Sequence, residues 1–548
     1  MRLKRRQDFP AGDTVLLIPF RFFRLIDTMA NGFALLRKDA ALPHASPDPL
    51  KNPEMRFGTA AVLAASFLLF MMVRQSTRYM AFPDEIFDYM EQAYRLVHGY
   101  GTPTWTFELG IRSWIFPGLL AGAMWVGSLF GGNEPLFAHG VMAASSLIPV
   151  WCAIQWSRWL GIGRLALLAG LLTATWVDSV YWSSVTLSEI FVGNLFCLCI
   201  HQAFCFIRGG DERRLVLLGM GLGLVFVIRF QFALFLLLLA ILVCQLQPRR
   251  WLLVIAGGLA VSLLSGLLDW ITLGRPFQSI WLNLWVNGQV PISEYGMVNR
   301  PFYYLTDLQL SYWSWAALPL LICAAAGLVL FPGLGVLSAG IWIFHSLLSN
   351  QQIRFLYPAV ILIVIAAAIG LVRLISLYRN RVPGWLSIVL PAAVLLIWAG
   401  TSLALALHTP YRQKWVHRAG HLALADYVRA HSEICGLATS EKTAPVFGQS
   451  FIGRPMPLYL NVMPTELAKL APYVNALALS ETETAPTGYR ATECWQDGYQ
   501  DILGKHPYSR ICLYRRAASC AAGAPAASDQ WPPSALQFRR FAISPPKD

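Results

Sequence analysis

The sequence predicts an all-α polytopic membrane protein that carries a small α/β domain at its C-terminal end. Three observations predict it. Of 548 residues, 56% are hydrophobic and only 13% are charged, about half the charged share of an ordinary soluble domain. Apolar runs recur through residues 57–407 and are too long for the core strands of a globular protein. After Leu407 the composition becomes mixed, with short strand-like runs such as Ile511–Tyr514. Together these features exclude a soluble multi-domain enzyme, a disordered tail protein and a collagen-like chain.

Residues 1–56 are expected on the cytoplasmic side. Their apolar stretch Val15–Phe20 is cut by Arg21 and Arg24, which leaves it too short for a signal-peptide core. Asp13–Arg37 reads either as an amphipathic helix lying on the membrane, with Pro19 near its start, or as a disordered tail.

Residues 57–407 form the expected transmembrane domain. Spans are predicted at Phe57–Val73, Glu134–Trp156, Leu165–Tyr181, Ser188–Ile207, Leu215–Ile228 and Phe232–Gln245. They continue at Trp251–Ile271, Trp313–Phe331, Gly333–Leu348, Phe355–Leu374 and Trp385–Leu407. A further run, Ser113–Phe130, is decided by the positive-inside rule. The arginine-bearing loops at Arg158/Arg164, Arg208/Arg213/Arg214, Arg249/Arg250 and Arg373/Arg379/Arg381 all fall inside only if that run does not cross. It is therefore expected as a juxtamembrane or re-entrant pair within one outer loop, residues 75–133, which suits its Pro117 and its Gly131-Gly132 pair. About eleven crossings result, with a second outer loop at residues 272–312 and the C-terminal domain, residues 408–548, outside. Six of the ten cysteines lie in spans and read as small core residues. The other four, Cys435, Cys494, Cys512 and Cys520, suggest up to two disulfides on an oxidising face, with the pairing open.

The net charge of +13 is spread along the chain, as 10 basic against 6 acidic residues in 1–56, 18 against 13 in 57–407, and 15 against 11 in 408–548. No stretch concentrates it, so a nucleic-acid partner is not expected.

Pro83 is followed by Asp84-Glu85 just past the first span, with Asp88 and Glu91 continuing the helix. One reading is a helical first turn that favours acids through its dipole. The other is a general base at the outer surface. A sugar hydroxyl is a weak nucleophile and needs a carboxylate within hydrogen-bond reach, whereas a lipid-phosphate leaving group needs a cation rather than an acid. Arg229, in the tight Arg229-Phe230-Gln231 turn, and Arg354, before the tenth span, are the candidate cations, against a reading of simple snorkelling. The 272–312 loop holds Trp281, Asn283, Trp285, Asn287, Gln289, Tyr295, Asn299, Tyr303 and Tyr304. Aromatic faces with amides suit sugar binding, and an interfacial aromatic belt is the alternative. Asn283 and Asn287 share a helical face at i,i+4. Glu189 either pairs with an arginine or touches the acceptor. His417 and His421 lack the glutamate of a zinc-protease helix, and there is no phosphate-binding P-loop and no dinucleotide fingerprint. No metal site and no cofactor are expected.

Phe82–Pro117 resembles the first outer loop of glycosyltransferase family 22, which contains the GPI-anchor and N-glycan mannosyltransferases that use dolichyl-phosphate mannose. The resemblance lies in Pro83-Asp84-Glu85, Gly99-Tyr100-Gly101, Thr104-Trp105, Arg112-Ser113 and Pro117. Downstream, Val185–Glu189, Arg229, Asp269, Gly274, Asn283, Asn287, Tyr295-Gly296, Tyr303-Tyr304 and Arg354-Phe355 with Pro358 resemble further family elements. The tail segments RPMPLYLNVMP and SRICLYRR have counterparts in mannosyltransferases of the PIG-B type. The resemblance implies a GT-C fold and an inverting, metal-independent transfer. Asp84 would be the base, Glu85 its acidic neighbour, and Arg354, helped by Arg229, the donor-phosphate contact. Trp105, Arg112, Glu189, Asp269, Asn283, Asn287, Tyr295, Tyr303 and Tyr304 would meet sugar or acceptor. Two family elements depart here. A His-Lys-Glu triplet is replaced by Asn350-Gln351-Gln352, and an arginine and an asparagine are lost around Val185–Glu189.

The expected function is therefore the movement of a sugar, mannose by resemblance, from a polyprenyl- or dolichyl-phosphate carrier to a glycan or glycolipid on the extracytoplasmic face. Arginine use without lysine in 57–407, and Ala/Leu-rich spans, favour a bacterial inner membrane over the endoplasmic reticulum. The rivals are a GT-C transferase for another lipid-linked sugar, a lipid-glycan transporter, and an inactive assembly subunit.

Overall fold

The computed structural model describes residues 53–131, 133–289, 302–348, 351–379, 381, 383–440, 447–497 and 509–521. The amphipathic helix expected at Asp13–Arg37, and Tyr295, lie outside the described residues.

Each of the eleven expected spans falls on helical structure, Glu134–Trp156 on the two helices Glu134–Ser145 and Leu147–Arg158, and Leu165–Tyr181 on Leu165–Thr175 and Val177–Trp182, broken at Trp176. Six helices are long and apolar enough to cross a membrane: Pro53–Thr77, Glu134–Arg158, Ser188–Gly209, Pro248–Leu273, Ile353–Arg379 and Gly384–Leu407. Prolines stand in the first turns of Pro53–Thr77, Glu134–Ser145, Pro248–Leu273 and Pro332–Leu347, where a missing N–H costs nothing. The central element is Tyr357–Arg379, whose residues Tyr357–Gly370 are all buried. Pro248–Leu273 and Gly384–Leu407 instead leave Leu252, Ile255, Leu259, Leu263, Ile388, Leu396 and Ile397 exposed, as a face toward lipid requires.

Close helix pairs fix the frame. Arg213–Ile228 packs along Pro248–Leu273. A Cβ on Gly219 would stand 2.1 Å from the Val254 carbonyl oxygen, and one on Gly257 would stand 2.3 Å from that of Val216. Only glycine admits that approach, the small-residue packing that membrane helices use in place of a hydrophobic driving force.

Between the first two long helices, residues 75–133 run through a π-turn at Glu85–Met90, a helix at Glu91–His98, a short turn at Trp105–Glu108 and a helix at Ile115–Leu129. Ile115–Leu129 packs on both Glu91–His98 and Glu134–Ser145, and His98 Nε2 lies 2.8 Å from Glu134.

The C-terminal domain holds a five-stranded sheet in the order β2-β1-β3-β5-β4, with β1 Leu437–Ser440, β2 Leu458–Val462, β3 Ala476–Ser480, β4 Arg490–Asp497 and β5 Ser509–Arg515. β1 pairs in parallel with β2 and β3, while β5 pairs antiparallel with β3 and β4. The interior strands β1 (Leu-Ala-Thr-Ser) and β3 (Ala-Leu-Ala-Leu-Ser) are buried almost throughout. The four tail cysteines form two disulfides, Cys435–Cys520 and Cys494–Cys512, the second joining residues directly opposed on β4 and β5.

The two domains are joined through the 75–133 loop. Glu91 is fully buried, and its carboxylate accepts the backbone N–H groups of Gln449 at 3.1 Å and Ser450 at 2.7 Å, together with that of Thr102 at 2.8 Å. A Cβ on Gly448 would lie 2.1 Å from the Glu91 carboxyl carbon, so this contact requires glycine. Met80 donates its N–H to the His417 carbonyl at 3.1 Å and accepts from His417 Nδ1 at 2.8 Å. Burial and neighbouring Arg418 push the His417 imidazole down to about 4, so it serves this contact as a neutral donor.

Candidate active site

Four interruptions in the helical frame converge on one cavity of about 570 Å³. The first is the start of the Glu85–Met90 turn, where Asp84 adopts helical angles (φ −57°, ψ −30°). The second is the first turn of Ser188–Gly209, which carries Glu189. The third is the break at Arg229 (φ −149°, ψ 83°) between Arg213–Ile228 and Phe230–Phe232. The fourth is the 3₁₀ turn Ile353–Leu356, which carries Arg354. Non-helical backbone at such depth is tolerated where it lines a polar cavity, so the charged side chains gather where the helices stop.

Arg354 Nη1 donates to Asp84 Oδ2 at 2.6 Å. Its Nε stands 3.4 Å from Glu189 Oε1, an oxygen that also pairs with Arg229 Nη2 at 2.8 Å. One carboxylate thus bridges two guanidinium groups. Arg229 Nη1 reaches Ser188 Oγ at 3.2 Å, and that hydroxyl contacts Tyr89 OH at 2.7 Å. Both arginines rest on aromatic rings, Arg354 over Phe82 at 4.4 Å and over Phe355 at 5.3 Å, and Arg229 over Phe355 at 5.6 Å. On the opposite wall Asp88 accepts from Thr106 Oγ1 at 2.7 Å and lies 3.4 Å from Arg112 Nη2.

The Asp84 side chain remains 37% exposed, toward the cavity, whereas Glu189 and Arg354 are enclosed. Burial works to raise the Asp84 carboxyl, but Arg354, with Arg112 and Arg229 beyond it, holds it below the usual carboxylate range. Asp88 moves the other way. Burial, reinforced by the charge of Asp84, pushes it up against the pull of Arg112. Among the described residues the lining carries three guanidinium groups (Arg112, Arg229, Arg354) and three carboxylates (Asp84, Asp88, Glu189), so the resting cavity is formally neutral.

Of the residues expected from sequence, Asp84, Trp105, Arg112, Glu189, Arg229, Asn283 and Arg354 line this cavity. Asn283 Nδ2 donates to the Ile111 carbonyl at 2.8 Å, fixing the Gln278–Gln289 helix against the 75–133 loop. For Glu189 the two sequence readings resolve toward arginine pairing.

Four expectations are corrected. Glu85 does not line the cavity and is fully buried. Its Oε1 accepts the N–H groups of Ala81 at 2.7 Å and Phe82 at 3.1 Å, and its Oε2 that of Thr186 at 3.2 Å. The side chain turns inward because these amides have no other partner to satisfy them as well as a carboxylate does. Asp269 is buried too, accepting the N–H of Ser279 at 3.0 Å and its hydroxyl at 2.6 Å, which ties the end of Pro248–Leu273 to the next helix. Tyr304 OH donates to the Gln352 carbonyl at 3.2 Å and accepts its N–H at 3.1 Å, with Tyr303 packed on its ring at 5.2 Å. This pair buttresses the segment before Arg354 and does not line the cavity. Asn287 lies on the Gln278–Gln289 helix, and its side chain is outside the described residues.

The cavity is also lined by Asp88, Thr106, Gln231, His345 and Phe355, which the sequence did not single out as site residues. The only sequence signal for His345 is a lone histidine at the end of an apolar helix. No group of three or more His, Cys, Asp or Glu side chains among the described residues is arranged to hold a metal ion.

The profile of the Alg9-like mannosyltransferase family matches residues 62–431, more than half of the chain. A stretch is 28% identical over 142 residues to GPI mannosyltransferase 3 of Drosophila melanogaster. It covers 24% of each protein, so the chain spans about a quarter of the length of the curated relative it matches. The fold is similar to that of ArnT from Cupriavidus metallidurans in two crystal structures. One has undecaprenyl phosphate bound (TM-score 0.55) and the other is in the apo state (TM-score 0.53). Each is 14% identical and covers 84% of this chain and 98% of that one. At that identity the likeness is one of fold, and the fold is GT-C.

Proposed function

We propose, from the premise that this chain belongs to the Alg9-like mannosyltransferase family, that it transfers mannose from a polyprenyl- or dolichyl-phosphate carrier to a hydroxyl of a glycan or glycolipid on the extracytoplasmic face. The transfer inverts the sugar's anomeric configuration and uses no metal. One observation carries the reading. Asp84 and Arg354, 270 residues apart, meet at 2.6 Å inside a cavity large enough for a sugar.

In this mechanism Asp84 accepts the proton of the acceptor hydroxyl as its oxygen attacks the anomeric carbon. The bond from that carbon to the phosphate oxygen breaks on the opposite side, and the electron pair leaves with the lipid phosphate. Arg354 and Arg229 receive the charge that develops there. In the resting cavity Asp84 is held by Arg354 and is a poor base. An incoming phosphate competes for that guanidinium, releases Asp84 and raises its basicity, so the donor arms the base.

The extracytoplasmic assignment is supported by the two disulfides of the C-terminal domain, which contacts the same outer loop, and by the arginine-bearing loops on the other side. Arginine use without lysine supports a bacterial inner membrane. A transporter reading draws no support from Asp178 and Asp269, the two carboxylates set back from the ends of the expected spans. Asp269 is held by Ser279, and Asp178 accepts from Tyr411, Trp176 and Trp313 at 2.7, 2.9 and 2.8 Å.

The test is transfer by the purified protein, with polyprenyl-phosphate mannose as donor and other polyprenyl-phosphate sugars as competitors. Asp84→Asn should lower turnover by about 10²- to 10⁴-fold with unchanged membrane insertion. Retained turnover would reject the mechanism, and stronger use of another sugar would reject mannose.

A further inference from the structure

His345, in the last turn of Pro332–Leu347, is only 5% exposed, yet it lines the cavity. Neither ring nitrogen has a hydrogen-bond partner among the described residues. Three aromatic rings pack on it. It stacks on Phe355 (centroids 5.7 Å apart, planes at 24°) and leans on Phe344 at 5.4 Å and Phe235 at 5.7 Å. Packing alone would be met equally well by phenylalanine, and a buried imidazole with both nitrogens unused is a group that needs an explanation.

The explanation lies in what shares the Phe355 ring. Arg229 and Arg354 set their guanidinium groups against it at 5.6 and 5.3 Å. The Nε of Arg354 is buried 3.4 Å from Glu189 Oε1, short of a hydrogen bond. Three nitrogen-bearing side chains therefore surround one aromatic ring at the cavity wall, and His345 holds both ring nitrogens in reserve among the described residues. The apolar residues Phe230, Phe232 and Leu348 flank this end. Nitrogen donors beside apolar side chains suit a phosphate that arrives on a hydrocarbon tail.

We propose that His345 donates a ring N–H to the phosphate of the lipid-linked donor, completing with Arg229 and Arg354 a three-sided anion site built on Phe355. The inference rests on the lipid-phosphate donor of the proposed function. It assigns to His345 the phosphate, and neither the sugar nor the acceptor. A neutral imidazole adds a directional donor without adding charge to a formally neutral cavity.

The experiment measures binding of polyprenyl phosphate and of polyprenol, the same chain without phosphate, to the full-length protein in nanodiscs. The wild type, His345→Phe and His345→Gln are compared. His345→Phe keeps the aromatic stack and removes both nitrogens. It should weaken polyprenyl-phosphate binding about tenfold or more, the range for a lost hydrogen bond to a charged group, and leave polyprenol binding unchanged. His345→Gln retains an N–H donor and should recover most of the loss. In transfer assays the donor KM rises and the acceptor KM does not.

The proposal is overturned if His345→Phe binds polyprenyl phosphate as the wild type does, or if phosphate and alcohol weaken equally, which would mark a packing role. It is also overturned if the donor KM is unchanged while sugar selectivity shifts. The parent reading fails differently. A wild type that does not prefer the phosphate to the alcohol rejects the lipid-phosphate donor itself, and an active Asp84→Asn rejects the base while leaving the anion site standing. A thermal melt of His345→Phe near that of the wild type separates lost binding from lost folding.

Discussion

The stretch Asp84–Glu91 presents four acids on two faces, and the faces have different fates. Asp84 and Asp88, one turn apart, look into the cavity at Arg354 and Arg112. Glu85 and Glu91 look into the protein and accept backbone amides, three each. The cavity face leaves a carboxylate partly exposed and movable, because its partner is a side chain that a ligand can claim. On the inner face both oxygens are committed to amides that nothing else satisfies. Reactivity and scaffold are therefore separated by the turn geometry of a single segment, and the π-turn at Glu85–Met90 sets that separation.

The sharpest way to break this comparison is to exchange the fates of neighbours. Asp84→Asn should cost about 10²- to 10⁴-fold in turnover with little change in the melting temperature, whereas Glu85→Gln should lower the melting temperature and keep turnover within a few-fold. A Glu85→Gln protein that melts normally but does not turn over would erase the distinction. Next in size, Arg354→Lys removes the planar fork and should raise the donor KM by about tenfold or more. An unchanged donor KM would move the phosphate elsewhere. Glu91→Ala and Gly448→Ala should each cost about 1–3 kcal/mol and loosen the C-terminal domain, read as faster proteolysis within residues 408–521. Equal protection in both would show that Glu91 does not hold the interface. The smallest effect is on pH. In the proposed mechanism transfer requires ionised Asp84, so the rate falls as pH drops through its pKa. That pKa is held low by Arg354 in the free protein and rises once a phosphate draws Arg354 away. The acid limb of kcat should therefore sit at higher pH than that of kcat/KM for the donor, and coincident limbs would contradict donor arming.

Much of the frame is legible in the sequence, because hydropathy is a local property and six of the apolar helices are long enough to declare themselves. Even the break at Arg229 reads directly, since a lone arginine between two apolar runs forces a turn. What is not legible is the direction in which an acid points. Asp84 and Glu85 are adjacent and chemically alike, and the backbone amides of Ala81, Phe82 and the distant Thr186 together turn one inward. Asp269 and the Tyr303–Tyr304 pair mislead for the same reason, as their partners Ser279 and Gln352 are not marked as such by composition. His345 escapes because a single histidine in an apolar helix carries no periodic signal, and its meaning lies in Phe355 and the two arginines that share that ring. The disulfide pairing follows from β4 and β5 lying in register, which no spacing of four cysteines reveals.

The balance of three guanidinium groups against three carboxylates has one more consequence. A pocket without net charge projects little field into the surrounding water, so it has no long-range pull on free inorganic phosphate, nucleotides or other soluble anions. Its cations become available only to a ligand already delivered to the doorway by other means. For a prenylated phosphate that means is the bilayer itself, which confines the ligand to two dimensions and concentrates it at the right depth. For the proposed donor, selectivity against the soluble phosphate pool is thereby a matter of address rather than of tighter grip.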